Sequence, residues 1–186
     1  MSAAPEWRPM RREHLASVLA LANAVHEGLP ESEAVFAERL RLFPRGCLVL
    51  AGDETIDGYA VDGYAVSHPI RRFEPPALNT MLGTLPAGAD DYYIHDVVVA
   101  PSRRGDGHAA KGVNRLLDIA GGYETASLIS VYGTAGFWSR FGFVAASECM
   151  KNKLLAYGAD ALYMIRRAGK PAQRTPSSCP KDASSH

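Results

Sequence analysis

Residues 92 to 120 constrain this chain more than any other stretch. Tyr92 to Ala100 is rich in β-branched and aromatic residues and halts at Pro101, which predicts a strand. Gly107 to Ala120 carries Val113, Leu116, Leu117 and Ala120 at helical spacing and is stopped by Gly121 and Gly122, which predicts a helix with one apolar face. Between them Pro101-Ser-Arg-Arg-Gly-Asp-Gly107 forms a basic loop that opens directly into the helix. Unpaired amides and the dipole of a helix N-terminus, beside two arginines and two glycines, suit a phosphate or pyrophosphate. The plain alternative is a glycine-rich surface turn.

The flanking elements follow from pattern. Arg12 to Val25 reads as a helix on Leu15, Val18, Leu19 and Ala22, ended by Gly28 and Pro30. Ser32 suits the cap of a second helix bearing Phe36, Leu40 and Phe43 and stopping before Pro44. On this reading the two helices precede every strand. Cys47 to Ala51 is of strand length. Asp57-Gly-Tyr-Ala-Val61 is repeated as Asp62-Gly-Tyr-Ala-Val66, and a period of five places matching residues on opposite sides of one strand. Either Asp-Gly pair can supply a hairpin turn. Pro69 to Ala89 reads as a long loop with a short helix around Leu78 to Leu82. Ala126 to Tyr132 reads as a strand, Thr134 to Phe141 as a short helix, and Phe143–Ala145 and Ala161–Ile165 as further strands. One domain is expected over residues 6–167, with a disordered tail over 168–186 that is rich in Pro, Ser, Lys and Gln.

Composition excludes several classes. Lys plus Arg and Asp plus Glu are 20 each, giving a formal net charge of zero, without the basic excess a non-specific nucleic-acid binder needs. Three scattered cysteines without a Cys-x-x-Cys pair argue against a disulfide scaffold or zinc site and for a reducing, cytoplasmic setting. The start has no apolar signal region, and the longest apolar run, Leu15 to Val25, is about half of what a bilayer requires. No metal and no membrane partner is expected.

The loop itself separates three phosphate-binding patterns. A P-loop needs Gly-Lys-Ser/Thr, which is absent. Gly105-x-Gly107-x-x-Ala110 matches the loose dinucleotide fingerprint, with Glu124 about twenty residues on. That match fails in context, because Ala100 to Arg104 separate the loop from its strand and Glu124 precedes the next strand. Arg104-x-x-Gly107-x-Ala109 fits the Q/R-x-x-G-x-G/A motif, and with it the chain resembles the GNAT family of N-acetyltransferases over roughly residues 6 to 167. The order of elements and the closing Phe141-Gly-Phe143 agree with that family.

The resemblance implies an α/β fold of the α+β type: a mixed, mostly antiparallel sheet with a splayed central strand, flanked by helices. It implies acetyl-CoA as co-substrate. The loop from Arg104 through Gly105, Asp106, Gly107, His108, Ala109 and Ala110 would hold the pyrophosphate, with Lys111 within reach of a phosphate. The backbone of Val97, Val98 and Val99 would pair with the pantetheine arm. An alkyl ammonium of pKa about 10 must lose its proton at a cost of about 4 kcal/mol at neutral pH, so a base is needed. His95 stands on the motif strand, two residues before Val97 and so on its face, and is the candidate, directly or through water; a structural role is the alternative. Asp96 then faces the other way and organises a turn. Where many family members carry a Tyr as acid this chain has Trp138, whose indole cannot supply a proton. Tyr132 is the substitute donor, with core packing or direct solvent protonation as alternatives.

The expected reaction is acetyl transfer to a primary amine, most simply a small molecule, by direct attack in a ternary complex, since no cysteine lies near the motif strand. Glu27, Glu31, Asp90 and Asp91 are candidates for recognising a cationic acceptor. Two rivals remain open: a non-catalytic acyl-CoA-binding module, and an NAD(P)-binding oxidoreductase, which predicts a parallel sheet.

Overall fold

The computed structural model describes residues 4–52, 61–146 and 150–169. Its strands are β1 (Glu6–Pro9), β2 (Cys47–Ala51), β3 (Gly63–Ile70), β4 (Asp91–Val99), β5 (Thr125–Ser130), β6 (Val144–Ala145) and β7 (Leu162–Arg167). The helices are α1 (Leu15–Val25), α2 (Glu33–Leu42), α3 (His108–Ala120), α4 (Ala135–Ser139) and α5 (Lys151–Leu154). The strands form one sheet in the order β1-β2-β3-β4-β5-β7-β6, antiparallel except for the central β4–β5 pair. The parallel sheet expected of an oxidoreductase is not what forms. No helix among the described residues is long and apolar enough to cross a membrane.

Each face of the sheet buries one helical layer. On one side α3 brings Val113 and Leu116 against Tyr92, Ile94, Val99 and Leu128. On the other, Val18 of α1 and Phe36 and Leu40 of α2 pack on Val49, Tyr64 and Val98. Fully burying a side chain of this size contributes about 1.5–3 kcal/mol, so both layers are held firmly.

Several expectations need correction. A strand, β1, precedes the two helices; Trp7 drives it, buried and donating from Nε1 to the carbonyl of His108 at 2.8 Å. Ser32 stands at the start of α2, but its side chain makes no capping bond; its amide donates instead to Oδ1 of Asn79 at 2.8 Å. No helix forms around Leu78 to Leu82, because the amides of Leu82 and Gly83 donate to the buried carboxylate of Glu38 at 2.7 and 2.9 Å rather than to backbone. β5 stops at Ser130, and Tyr132 lies beyond it with φ at +54°. The second Asp-Gly-Tyr-Ala-Val copy enters β3; most of the first copy, and residues 170–186 of the expected tail, lie outside the described residues.

Candidate active site

Two irregularities in β4 create the site. The first is a bulge. Cα partners run Gly63↔Val99 to Val66↔Asp96, then resume at Ser67↔Ile94, so His95 is the extra residue. The bulge resets the side-chain alternation. Val97 packs on the α3 side with Ile94 and Val99, whereas His95 and Asp96 both turn toward α1 and the α1–α2 loop. The expectation that His95 shares the face of Val97 and opposes Asp96 is therefore reversed.

The second is the split between β4 and β5. Their pairing ends at Ile94↔Leu128, although β4 runs on to Val99 and β5 to Ser130. The amide of Ala100 donates to the carbonyl of Asp62 on the β3 side at 2.8 Å. Because backbone groups alternate along a strand, those of Val97 and Val99 point into the split. There the Val99 carbonyl accepts from Nε of Arg104 at 3.3 Å. A cavity of about 540 Å³ fills the split, lined by Val97, Val98, Val99, Arg104 and Ala109 at one end and by His26, His95 and Asp96 at the other.

Residues 101–107 are exposed and lead into α3, whose N-terminus carries no side-chain cap. Gly105 and Gly107 have φ of +100° and +75°, the left-handed region where glycine carries no side-chain penalty. A Cβ at either would meet nothing within 4 Å, so open space borders the loop at the start of α3. Asp106 and Lys111 are exposed beside it.

At the other end stand two histidine–carboxylate pairs. Nε2 of His95 lies 2.7 Å from Oε2 of Glu31, with side chains 5% and 9% exposed. Burial works against the Glu31 carboxylate, but His95 and the Asn79 amide outweigh it and lower its pKa. Nε2 of His26 lies 3.0 and 3.2 Å from the two oxygens of Asp96. Asp96 also accepts from the Tyr64 hydroxyl at 2.5 Å. Burial disfavours charged His26, yet Asp96 prevails and raises its pKa. Nearby, burial and the His95 charge depress the pKa of His68 to about 3, so its ring stays neutral.

Tyr132 is about half exposed rather than a core residue, and its ring stacks on His26 at 5.6 Å and 15°. It lines the same cavity. Burial and the charges of Asp96 and Asp160 raise its pKa, keeping the phenol protonated. Trp138 is buried edge-on against Phe137 and Phe143 and also borders the cavity. Of the other candidates, Glu27 is exposed, Asp90 pairs with Arg72, and Asp91 is buried under Thr125 and Ser127; only Glu31 reaches the site. His26 and Tyr64 escaped the sequence reading, since nothing local marks them; they join the site through contacts 70 and 32 positions away.

The split sheet, its cavity and the helix that opens beside it belong to a fold that known proteins share. The acetyltransferase (GNAT) family model matches residues 13–143, and the chain belongs to that family. No curated protein is found to match the sequence. Among solved structures, the loading GNATL domain of CurA from Lyngbya majuscula is similar with a TM-score of 0.71 at 12% identity, over 89% of this chain and 98% of that one. Ard1 from Thermoplasma volcanium gives 0.65 at 17% identity, over 90% and 100%. A GNAT family N-acetyltransferase, YhbS, from Escherichia coli in complex with CoA gives 0.57 at 20% identity, over 89% and 82%. At these identities the likeness shows the fold.

Proposed function

We propose that the protein transfers the acetyl group of acetyl-CoA to a primary amine by direct attack in a ternary complex. The observation that carries this reading is the split between β4 and β5, which joins an anion-ready helix end to a titratable cluster through one cavity. The residues present fit the co-substrate. The open space over Gly105 and Gly107, the helix N-terminus without a side-chain cap and the charge of Arg104 suit a pyrophosphate. The backbone edge of Val97 and Val99 suits an amide-bearing arm, and its donors face where an oxyanion would develop. When bound, acetyl-CoA supplies an activated acyl carbon and a thiolate leaving group.

The chain's own residues handle the protons. Nε2 of His95 is engaged by Glu31, which leaves Nδ1, without another partner among the described residues, as the atom that takes up the ammonium proton. Tyr132, protonated and at the cavity wall, serves as donor to the departing thiolate in place of a residue at the Trp138 position. Cys47 takes no part: it is fully buried, its thiol pushed up to about 12 by burial, and it borders neither site cavity. The localisation that fits a small-molecule acetyltransferase with a reduced buried thiol is cytoplasmic.

Calorimetric titration with acetyl-CoA, with NADH and NADPH as controls, tests the co-substrate; thiol release over an amine panel tests the reaction. Binding of acetyl-CoA alone, with amine-dependent thiol release, is the expected result. Trp138 favours one second reading, a non-catalytic acyl-CoA-binding module, which binds acetyl-CoA and releases no thiol with any amine.

A further inference from the structure

Beside the split lies a smaller pocket of about 60 Å³, which shares His26, His95, Asp96, Ile129 and Val131 with the larger cavity. Its walls are Leu29, Leu78, Ile129 and Val131, with the rings of Tyr93 and Tyr157. Its polar side chains are the two histidine–carboxylate pairs with Tyr93 and Tyr157, and none of the residues lining it is a lysine or arginine. Resting on the acetyl-transfer reading, we infer that the acceptor is a small apolar primary monoamine: one ammonium on a short hydrocarbon stem, with no carboxylate and no second cation.

The charge of the chamber sets the first limit. Asp96 is paired with His26 and bonded by Tyr64, so its charge is met within the protein. Glu31 is bonded to His95 and lines the same pocket, so a second carboxylate faces the acceptor. Two carboxylates, with no lysine or arginine in the lining, favour an ammonium over an anion. An amino acid would bring its carboxylate beside Glu31 and Asp96 with no cation to meet it, and an unpaired buried charge is costly. A diamine would bring its second ammonium to the walls of Leu29, Leu78 and Ile129 with Tyr93 and Tyr157, where the lining has no carboxylate beyond the two that are histidine-paired.

Size sets the second limit. At roughly 10–15 Å³ per water-sized group, the chamber holds about four to six non-hydrogen atoms. Leu78 is its roof, and the roof is fastened. The Asn79 amide donates to Oε1 of Glu31 at 3.0 Å, and Asn79 Oδ1 accepts from the Ser32 amide at 2.8 Å. Arg39 donates to the Thr80 carbonyl at 2.7 Å, and Glu38 accepts from the amides of Leu82 and Gly83. Widening the chamber for a longer acceptor requires breaking bonds that include the proposed base.

A matched panel tests this with the full chain and acetyl-CoA, reading thiol release. The panel is 3-methylbutylamine, leucine (the same stem with a carboxylate), a peptide with N-terminal leucine, and 1,5-diaminopentane. The expected result is kcat/KM for 3-methylbutylamine about 100-fold above each of the others. Equal or greater activity with leucine, the peptide or the diamine overturns the inference, as does acetyl-CoA binding with no thiol release from any of the four. No acetyl-CoA binding, or binding without thiol release from any amine of the wider panel, overturns the acetyl-transfer reading as well, whereas thiol release from other amines alone overturns only the inference. In Leu78→Ala the preference for 3-methylbutylamine over n-octylamine should shrink about tenfold. An unchanged ratio overturns the roof as the size limit.

Discussion

Nε2 of His95, at the bulge of β4, lies 2.7 Å from Oε2 of Glu31 in the loop between α1 and α2, and both side chains are almost fully buried. Burial keeps this bond out of competition with water, so each partner fixes the other's orientation. If the pair takes up the proton as one unit, losing either member removes the whole effect. Glu31→Gln and His95→Gln should each lower kcat by about 10²–10⁴, leave acetyl-CoA affinity unchanged, and combine in the double variant with little further loss. Steady-state kinetics and calorimetry measure these quantities. Multiplicative losses in the double variant would show two independent roles.

The His26–Asp96 pair carries a pH signature of the opposite kind to a carboxylate's. Burial alone would lower the His26 pKa, but the hydrogen bond and charge of Asp96 raise it above 6.5. A raised histidine pKa means the folded state binds the proton more tightly than the unfolded chain. The stabilisation is therefore fully present below 6.5 and is lost as pH rises through the folded value. Denaturant unfolding of the parent chain and His26→Gln should show a stability gap that is widest near about pH 6 and closes as pH rises. A gap that widens with pH would contradict the pairing.

Gly107 has φ of +75° and open space where a Cβ would stand. A side chain there meets no neighbour, so the strain is in the backbone, about 1–2 kcal/mol for an L-residue in the left-handed region. It would also intrude on the cradle before α3. Gly107→Val should weaken acetyl-CoA binding about tenfold or more while leaving the cooperative unfolding of the core intact, since the loop is exposed. Full affinity in this variant would remove the loop from the co-substrate site.

What was legible in the sequence was what short-range pattern controls. Tyr92 to Ala100, Gly107 to Ala120 and Cys47 to Ala51 are long or strongly patterned, and they form nearly as read. The motif loop could be read because its glycines and arginines are contiguous. The bulge at His95 could not, because it is a property of the β3–β4 register rather than of β4 alone, and it decides which way His95 and Asp96 face. Glu31 was one acidic residue among four candidates until the fold carried it 64 positions to His95. β1 was missed because Glu-Trp-Arg-Pro is too short and polar to signal a strand; its single buried anchor, Trp7, is rewarded only by α3.

Arg39 is fully buried and bound to Glu38 at 2.6 Å while donating to Thr80. Arg39→Met fills similar volume yet leaves the buried Glu38 only the Leu82 and Gly83 amides and the more distant Arg41, a loss approaching about 3 kcal/mol. It also frees the roof at Thr80. Chemical denaturation should report the lost stability, and KM for the acceptor should rise more than kcat falls. A variant as stable as the parent would mean that the pair is already compensated from elsewhere.

Gly112, in the second turn of α3, is where the helix meets β1. A Cβ there would stand 2.6 and 2.7 Å from two ring atoms of Trp7. Trp7 has little room to retreat, because its Nε1 donates to the His108 carbonyl and its own carbonyl accepts from Arg115. Either β1 or the start of α3 must shift, and overpacking of this kind costs about 1–3 kcal/mol. Since the start of α3 frames the cradle, Gly112→Ala should lower both stability and acetyl-CoA affinity. Trp7→Phe removes the ring atoms in the way, so the double variant should unfold at higher urea than Gly112→Ala alone, with a coupling of about 0.5–3 kcal/mol. Additive losses would show that the helix yields somewhere other than at Trp7.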